Sequence, residues 1–266
     1  MPARYPERIV CLTEETTETL YLLGEQRRIV GISGYTVRPP RARREKPRVS
    51  AFLSAKNEKI LELKPDLVIG FSDLQADIAR DLAKAGLNIV IFNQRSVAEI
   101  LDTIQMVASL VGASERGAAL VQRLERGLEE IRERAKAFPR RPRVYFEEWD
   151  EPMISAIGWV SELIEIAGGE DVFKELSSSQ GAAGRVIRDG KSVIERKPDV
   201  IFGSWCGKKY RPERVAARPG WQDIPAVKEK HLYEVKSAEI LQPGPAALTD
   251  GVRRIHCVLE GFFSRR

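Results

Sequence analysis

This chain has little with which to hold a soft metal or run nucleophilic chemistry. It contains two histidines, His231 and His256, and three cysteines, Cys11, Cys206 and Cys257, in 266 residues. The cysteines form no CxxC pair and no zinc spacing, and neither histidine belongs to a ligand cluster. A metal site built on imidazole or thiolate is therefore not expected. Runs of the G-x-S-x-G, Walker A and G-x-G-x-x-G types are also missing. Cys206 is the one candidate nucleophile, but no histidine is placeable beside it to make a thiolate. It reads as a small residue in a tight loop. No apolar run approaches the roughly 18 residues that a membrane helix needs. The start, MPARYPERIVCL, enters a strand almost at once and lacks the charged, apolar and cleavage-site pattern of a signal peptide. As it stands the sequence reads as cytoplasmic, or as periplasmic if it is a processed form. No sign of charge dominates either: 43 bases face 38 acids, too mixed a balance to argue for nucleic acid. The densest basic run, residues 38–48, contains Pro39, Pro40 and Pro47 and reads as a solvated loop.

What the chain does have is a repeat. Residues 60–72 read ILELKPDLVIGFS and residues 193–205 read VIERKPDVIFGSW, 133 residues apart and thus half a chain. Glu62, Lys64, Pro65 and Asp66 return as Glu195, Lys197, Pro198 and Asp199. Each copy is a helix end, a proline stop and a buried strand. Two such units imply two similar lobes, with a ligand cleft between them.

The expected fold is α/β, with two Rossmann-like lobes of parallel sheet joined by one long helix. In residues 1–113, strands at 8–12, 29–32, 67–70 and 89–92 alternate with helices at 13–23, 74–85 and 96–111. Ser54 is placed as the cap of a further helix that stops at Pro65. Ser96 and Glu99 form an S-x-x-E capping box. A helix over 115–137 follows, with Leu120, Val121, Leu124, Leu128 and Ile131 on one stripe. It makes 114–138 a stiff connection. Residues 139–266 form the second lobe, with strands at 143–146 and 232–235 and helices at 161–167 and 249–262.

These patterns resemble the iron-siderophore and vitamin B12 type of ABC-transporter substrate-binding proteins. The carriers are RIVCLTEETTETLYLLG, VGISGYTVRPPRA, KNEKILELKPDLVI, AGGEDVF at 167–173, and VIERKPDVI. The vitamin B12-binding branch is the nearest. The resemblance implies a solute-binding protein and not an enzyme. Tyr35 falls where the family packs an aromatic on a corrinoid, and Phe52 where vitamin B12 binders carry a tryptophan. It also implies docking on a transporter permease through one surface glutamate per lobe. Glu58 matches the first of these, but the second falls on Lys191, a reversal of charge.

In open α/β sheets, ligands bind beyond the carboxyl ends of the strands. Loops expected there hold Thr13-Glu14-Glu15, Ser33-Gly34-Tyr35, Glu147-Glu148-Trp149-Asp150 and Ser204-Trp205-Cys206-Gly207, with Trp159 just past the third. Tyr35, Trp149, Trp159 and Trp205 offer flat faces to a planar macrocycle, although Trp159 also suits the core of the second lobe. Glu14 and Glu15 read either as helix N-terminal carboxylates or, with Glu147 and Glu148, as holders of a cationic group. The segment at 208–221, KKYRPERVAARPGW, faces an anionic group or solvent. The leading expectation is a monomeric binder of a bulky metal chelate, cobalamin or another tetrapyrrole, with no intrinsic cofactor. The alternatives are a cytoplasmic carrier of a cationic or aromatic small molecule without a transporter, or a metal-dependent enzyme using the acidic cleft.

Overall fold

The computed structural model describes residues 5–51 and 54–264. The chain divides into two compact units, Met1–Gln94 with Ala98–Leu124, and Arg95–Val97 with Glu125–Arg266.

In chain order the first unit runs β1 (Ile9–Cys11), α1 (Glu14–Leu22), β2 (Ile29–Ser33), α2 (Ala42–Glu45), β3 (Arg48–Ser50), α3 (Asn57–Glu62), β4 (Leu67–Phe71), α4 (Ala76–Lys84), β5 (Ile89–Phe92) and α5 (Val97–Leu110). Its sheet has the order β3-β2-β1-β4-β5, and all pairs are parallel. Every residue of β1 and β4 is buried, as expected for strands covered by helices on both faces. Val10, Leu12, Val49, Ile60, Val68, Ile78 and Leu82 form one core beneath these helices. Gly24 ends α1 with φ +76°, a conformation that costs glycine nothing.

The next helix, α6 (Ser114–Ala135), belongs to the first unit up to Leu124 and to the second from Glu125. Leu120, Leu124, Leu128 and Ile131 are buried along it, which is the expected stripe.

The second unit continues with β6 (Arg143–Asp150), β7 (Met153–Ser155), α7 (Gly158–Ile166), β8 (Glu170–Asp171), α8 (Lys191–Arg196), β9 (Val200–Gly203), α9 (Pro212–Ala216), α10 (Pro225–Lys228), β10 (Leu232–Glu234), α11 (Ser237–Ile240) and α12 (Val252–Ser264). Its sheet is β10-β9-β6-β7, and β8 pairs the start of β6. The β10-β9 and β9-β6 pairs are parallel, whereas β7 returns antiparallel along the second half of β6.

The repeat does the same work in both units. Lys64 and Lys197 both take the left-handed conformation, at φ 46° and 44°, and so turn α3 and α8 into the proline stop. The aspartates that follow tie down the start of each unit's first strand. Asp66 accepts from the backbone N–H groups of Glu7 and Arg8 at 2.7 and 2.9 Å. Asp199 accepts from the N–H of Arg143 at 2.8 Å and from Arg140 through both guanidinium nitrogens.

Four local expectations change. The helix expected to be capped by Ser54 begins at Asn57, with Lys56 before it and no side-chain cap. The basic run is not all loop, since α2 lies within residues 38–48 and β3 begins at Arg48. The strand expected to stop at Phe146 runs on to Asp150, because β7 supplies a partner for its second half. The helix expected from Ser161 starts at Gly158 and takes in Trp159.

Candidate functional site

In the first unit the strand order reverses at β1, so the crevice for a ligand lies beyond the carboxyl ends of β1 and β4. Thr13, Glu14 and Glu15 follow β1 directly. Both carboxylates are buried, at 8% and 2% exposure, and neither has an ion pair among the described residues. The Thr13 hydroxyl donates to Oε1 of Glu15. Oε2 of Glu15 is buried with no hydrogen-bond partner among the described residues. Burial, reinforced by the charges of Glu15 and Glu18 and opposed by Arg43, pushes the Glu14 carboxyl up to about 8. Burial likewise pushes Glu15 up to about 7, against the Thr13 bond. Glu14 and Glu15 stand in the first turn of α1, and Thr13, the residue before it, caps no backbone N–H with its side chain.

Tyr35 stands two residues beyond β2 and is 55% exposed, with its N–H on the Ser33 hydroxyl at 3.2 Å. An exposed ring held by a short turn is what a flat solute needs. Phe52 lies outside the described residues. Glu58 is exposed in the first turn of α3, and Lys191 is exposed at the start of α8. The offset of the repeat makes these two positions equivalent.

The second unit corrects several expectations. Residues 147–150 belong to β6 and not to a loop, and their acids are already matched by cations. Glu147 is fully buried and accepts from Tyr145 Oη at 2.8 Å, Trp205 Nε1 at 3.0 Å and both Arg218 Nη atoms at 2.5 and 3.0 Å. Glu148 accepts two bonds, at 2.6 and 3.1 Å, from Arg185, whose side chain is 2% exposed. Asp150 is bonded to Lys208. Burial opposes ionisation of Asp150, but the bond and charge of Lys208 outweigh it and hold the carboxyl below its usual range. Glu148 is therefore committed to Arg185, not free for a ligand cation.

The tryptophans divide. Trp159 is buried within α7 and gives its N–H to the Ile240 carbonyl at 2.9 Å. Trp205 is buried in a core with Tyr145, Tyr210 and Trp221, edge-on to Tyr210 with centroids 5.1 Å apart. Trp159 takes the core alternative expected for it, and Trp205 is packed into a core where a ligand platform was expected. Trp149 is half-buried at the end of β6, and it is the one of the three with a face near the surface. The segment at 208–221 is mostly exposed, with Tyr210, Val215 and Trp221 buried beneath it and Lys208 and Arg218 meeting acids. Arg185 and Arg218 carry no motif in the sequence. The excess of acids over nearby bases at 147–151 was the only hint that distant cations must fold back onto them.

Below this strand end an open pocket of about 430 Å³ is lined by residues that include Asp150, Met153, Asp189, Lys191, Arg218 and Trp221. Among the described residues, no group of three or more His, Cys, Asp or Glu side chains is placed to hold a metal ion. No helix among them is long and apolar enough to cross a membrane.

Known proteins resemble this chain in sequence and fold. The uncharacterized ABC transporter substrate-binding lipoprotein YvrC of Bacillus subtilis (strain 168) is 26% identical over 256 residues, covering 94% of this chain and 79% of that protein. A vitamin B12-binding protein of Vibrio vulnificus (strain YJ016) is 25% identical, covering 91% and 86%. The apo structure of the periplasmic heme-binding protein RhuT from Roseiflexus sp. RS-1 superposes with a TM-score of 0.80 at 25% identity, over 95% of this chain and 99% of that one. These relatives are named for binding and transport, not for catalysis, and they give no support to the cytoplasmic location expected above. Residues 9–239 match the family model described as periplasmic binding protein; the chain belongs to that family and is a solute-binding protein, not an enzyme.

Proposed function

We propose that this protein binds a bulky metal chelate, a corrinoid or another tetrapyrrole, outside the cytoplasmic membrane and delivers it to an ABC-transporter permease. The observation that carries this reading is Tyr35: a large aromatic, 55% exposed, at the carboxyl end of a central strand of the first unit. Trp149 supplies a similar face at the strand end of the second unit. The vitamin B12-binding and heme-binding relatives support the class of ligand. Native mass spectrometry of freshly purified protein, with an absorbance spectrum and titrations with cobalamin and haem, tests it. One chelate is expected to bind. Tyr35→Ala should weaken that binding by about 1–3 kcal/mol, the scale of one buried side chain. Binding of neither chelate, or full affinity without Tyr35, would overturn the reading.

Docking on the permease is asymmetric in this proposal. Glu58 presents a carboxylate to a partner's arginine, and Lys191 presents like charge at the equivalent place, which is repulsive. The matching permease therefore carries an acid opposite Lys191. A permease with arginine on both sides should bind Lys191→Glu more tightly than the unmodified protein in a pull-down. Equal capture of the two would sink this assignment.

A further inference from the structure

At the carboxyl ends of β6 and β9 the ammonium of Lys208 lies 4.0 Å from the centroid of the Trp149 ring and 5.1 Å from that of Trp205. It is also hydrogen-bonded to the Asp150 carboxylate. Two aromatic faces and a carboxylate around one cation make the arrangement that recognises ammonium groups, because the ring quadrupoles and the carboxylate all favour positive charge.

The walls are held in place. Trp205 is 3% exposed and gives its N–H to Glu147. Trp149 gives its N–H to the Glu151 carbonyl at 2.9 Å. Asp150 pairs with Met153 across the β6–β7 ladder. The occupant is held less firmly. The Lys208 side chain is 36% exposed, and its loop follows Gly207, at φ +78°, where an added Cβ would meet nothing within 4 Å. If Lys208 leaves, Asp150 keeps a cation in reach, because Arg214 stands 4.0 Å from its other oxygen.

The geometry points to a cation cage in which Lys208 is a resident stand-in. Trp149, Trp205 and Asp150 accept the alkylammonium group of an incoming solute when Lys208 swings out. This deepens the function proposed above and rests on the strand end of the second unit facing the solute. It adds a chemical requirement, an exposed ammonium arm on the ligand.

Tetramethylammonium chloride is the probe, against sodium chloride at equal ionic strength. In the unmodified protein the ε-methylene NMR signal of Lys208, shifted upfield by the rings, is expected to move toward its solvent position as the probe is added. By tryptophan fluorescence, Lys208→Ala should bind the probe at least tenfold more tightly than the unmodified protein, and Trp149→Leu with Lys208→Ala should lose that gain. Equal affinity of Lys208→Ala and the unmodified protein would overturn the cage, as would a Lys208 signal that sodium chloride moves equally. If Lys208→Ala does not fold, Lys208→Ser replaces it, and the NMR arm needs no variant. The titration uses the probe with no chelate present, and the chelate titration uses no tetramethylammonium, so the cage and the chelate reading fail separately.

Discussion

Replacing Arg218 with Met is expected to destabilise the second unit by about 3–5 kcal/mol, the range for removing one partner of a buried ion pair. Glu147 is fully buried, and its two bonds from Arg218 are the only charge-compensating ones it has among the described residues. Without them a carboxylate remains in a core of Tyr145, Trp205 and Tyr210, with only two neutral donors. Urea unfolding followed by tryptophan fluorescence reads the change. Glu147→Gln combined with Arg218→Met should recover much of the loss, since no buried charge is then left uncompensated. A single variant within about 0.5 kcal/mol of the parent, the range of ordinary surface substitutions, would show that this pair is not structural. The pair also matters to function, because Glu147 holds Trp205, which is one wall of the proposed cage.

The second large effect is a pH dependence set by Glu14 and Glu15. Both carboxyls titrate higher in the folded chain, at about 8 and about 7, than their ordinary value of 4.5. Between those values the folded state holds more protons than the unfolded one. The stability these groups contribute is present below the window and is lost as pH rises through it. Glu15→Gln should therefore be more stable than the parent at pH 8.5 by on the order of 3 kcal/mol, and close to it at pH 5. Thermal unfolding of both proteins across this range is the measurement. A parent that gains stability relative to Glu15→Gln on going from pH 5 to pH 8.5 would contradict the burial argument. A cationic group placed at Oε2 of Glu15 would favour the ionised form, release a proton and bind more tightly at higher pH.

The fold was legible where the information is local. Apolar runs of four or five residues marked the covered strands, and glycines such as Gly24 marked helix ends. The KPD repeat announced two like units because its parts act over short distances: a left-handed lysine, a proline stop and an aspartate beside the first strand. Tyr35 was legible for the same reason, as a residue two places past a strand on a tight turn. β7 was not, since its three residues, Met153–Ser155, carry too weak a pattern to distinguish from loop. That omission moved Glu147 to Asp150 from a strand onto an imagined loop.

The sequence by itself determined the α/β class, the two units and the strand ends that carry the candidate site residues. Each follows from the period of the apolar pattern or from the conformational limits of single residues. Only the tertiary structure decided what the acids and tryptophans of the second unit do. Glu148 meets Arg185 37 residues away, and Glu147 meets Arg218 71 residues away. Which cation reaches which carboxylate depends on sheet register and on loops closing over the core, and no spacing along the chain encodes that. Burial is decided in the same way: packing buries Trp159 and Trp205, keeps one face of Trp205 toward Lys208, and leaves Trp149 half-open at the end of β6.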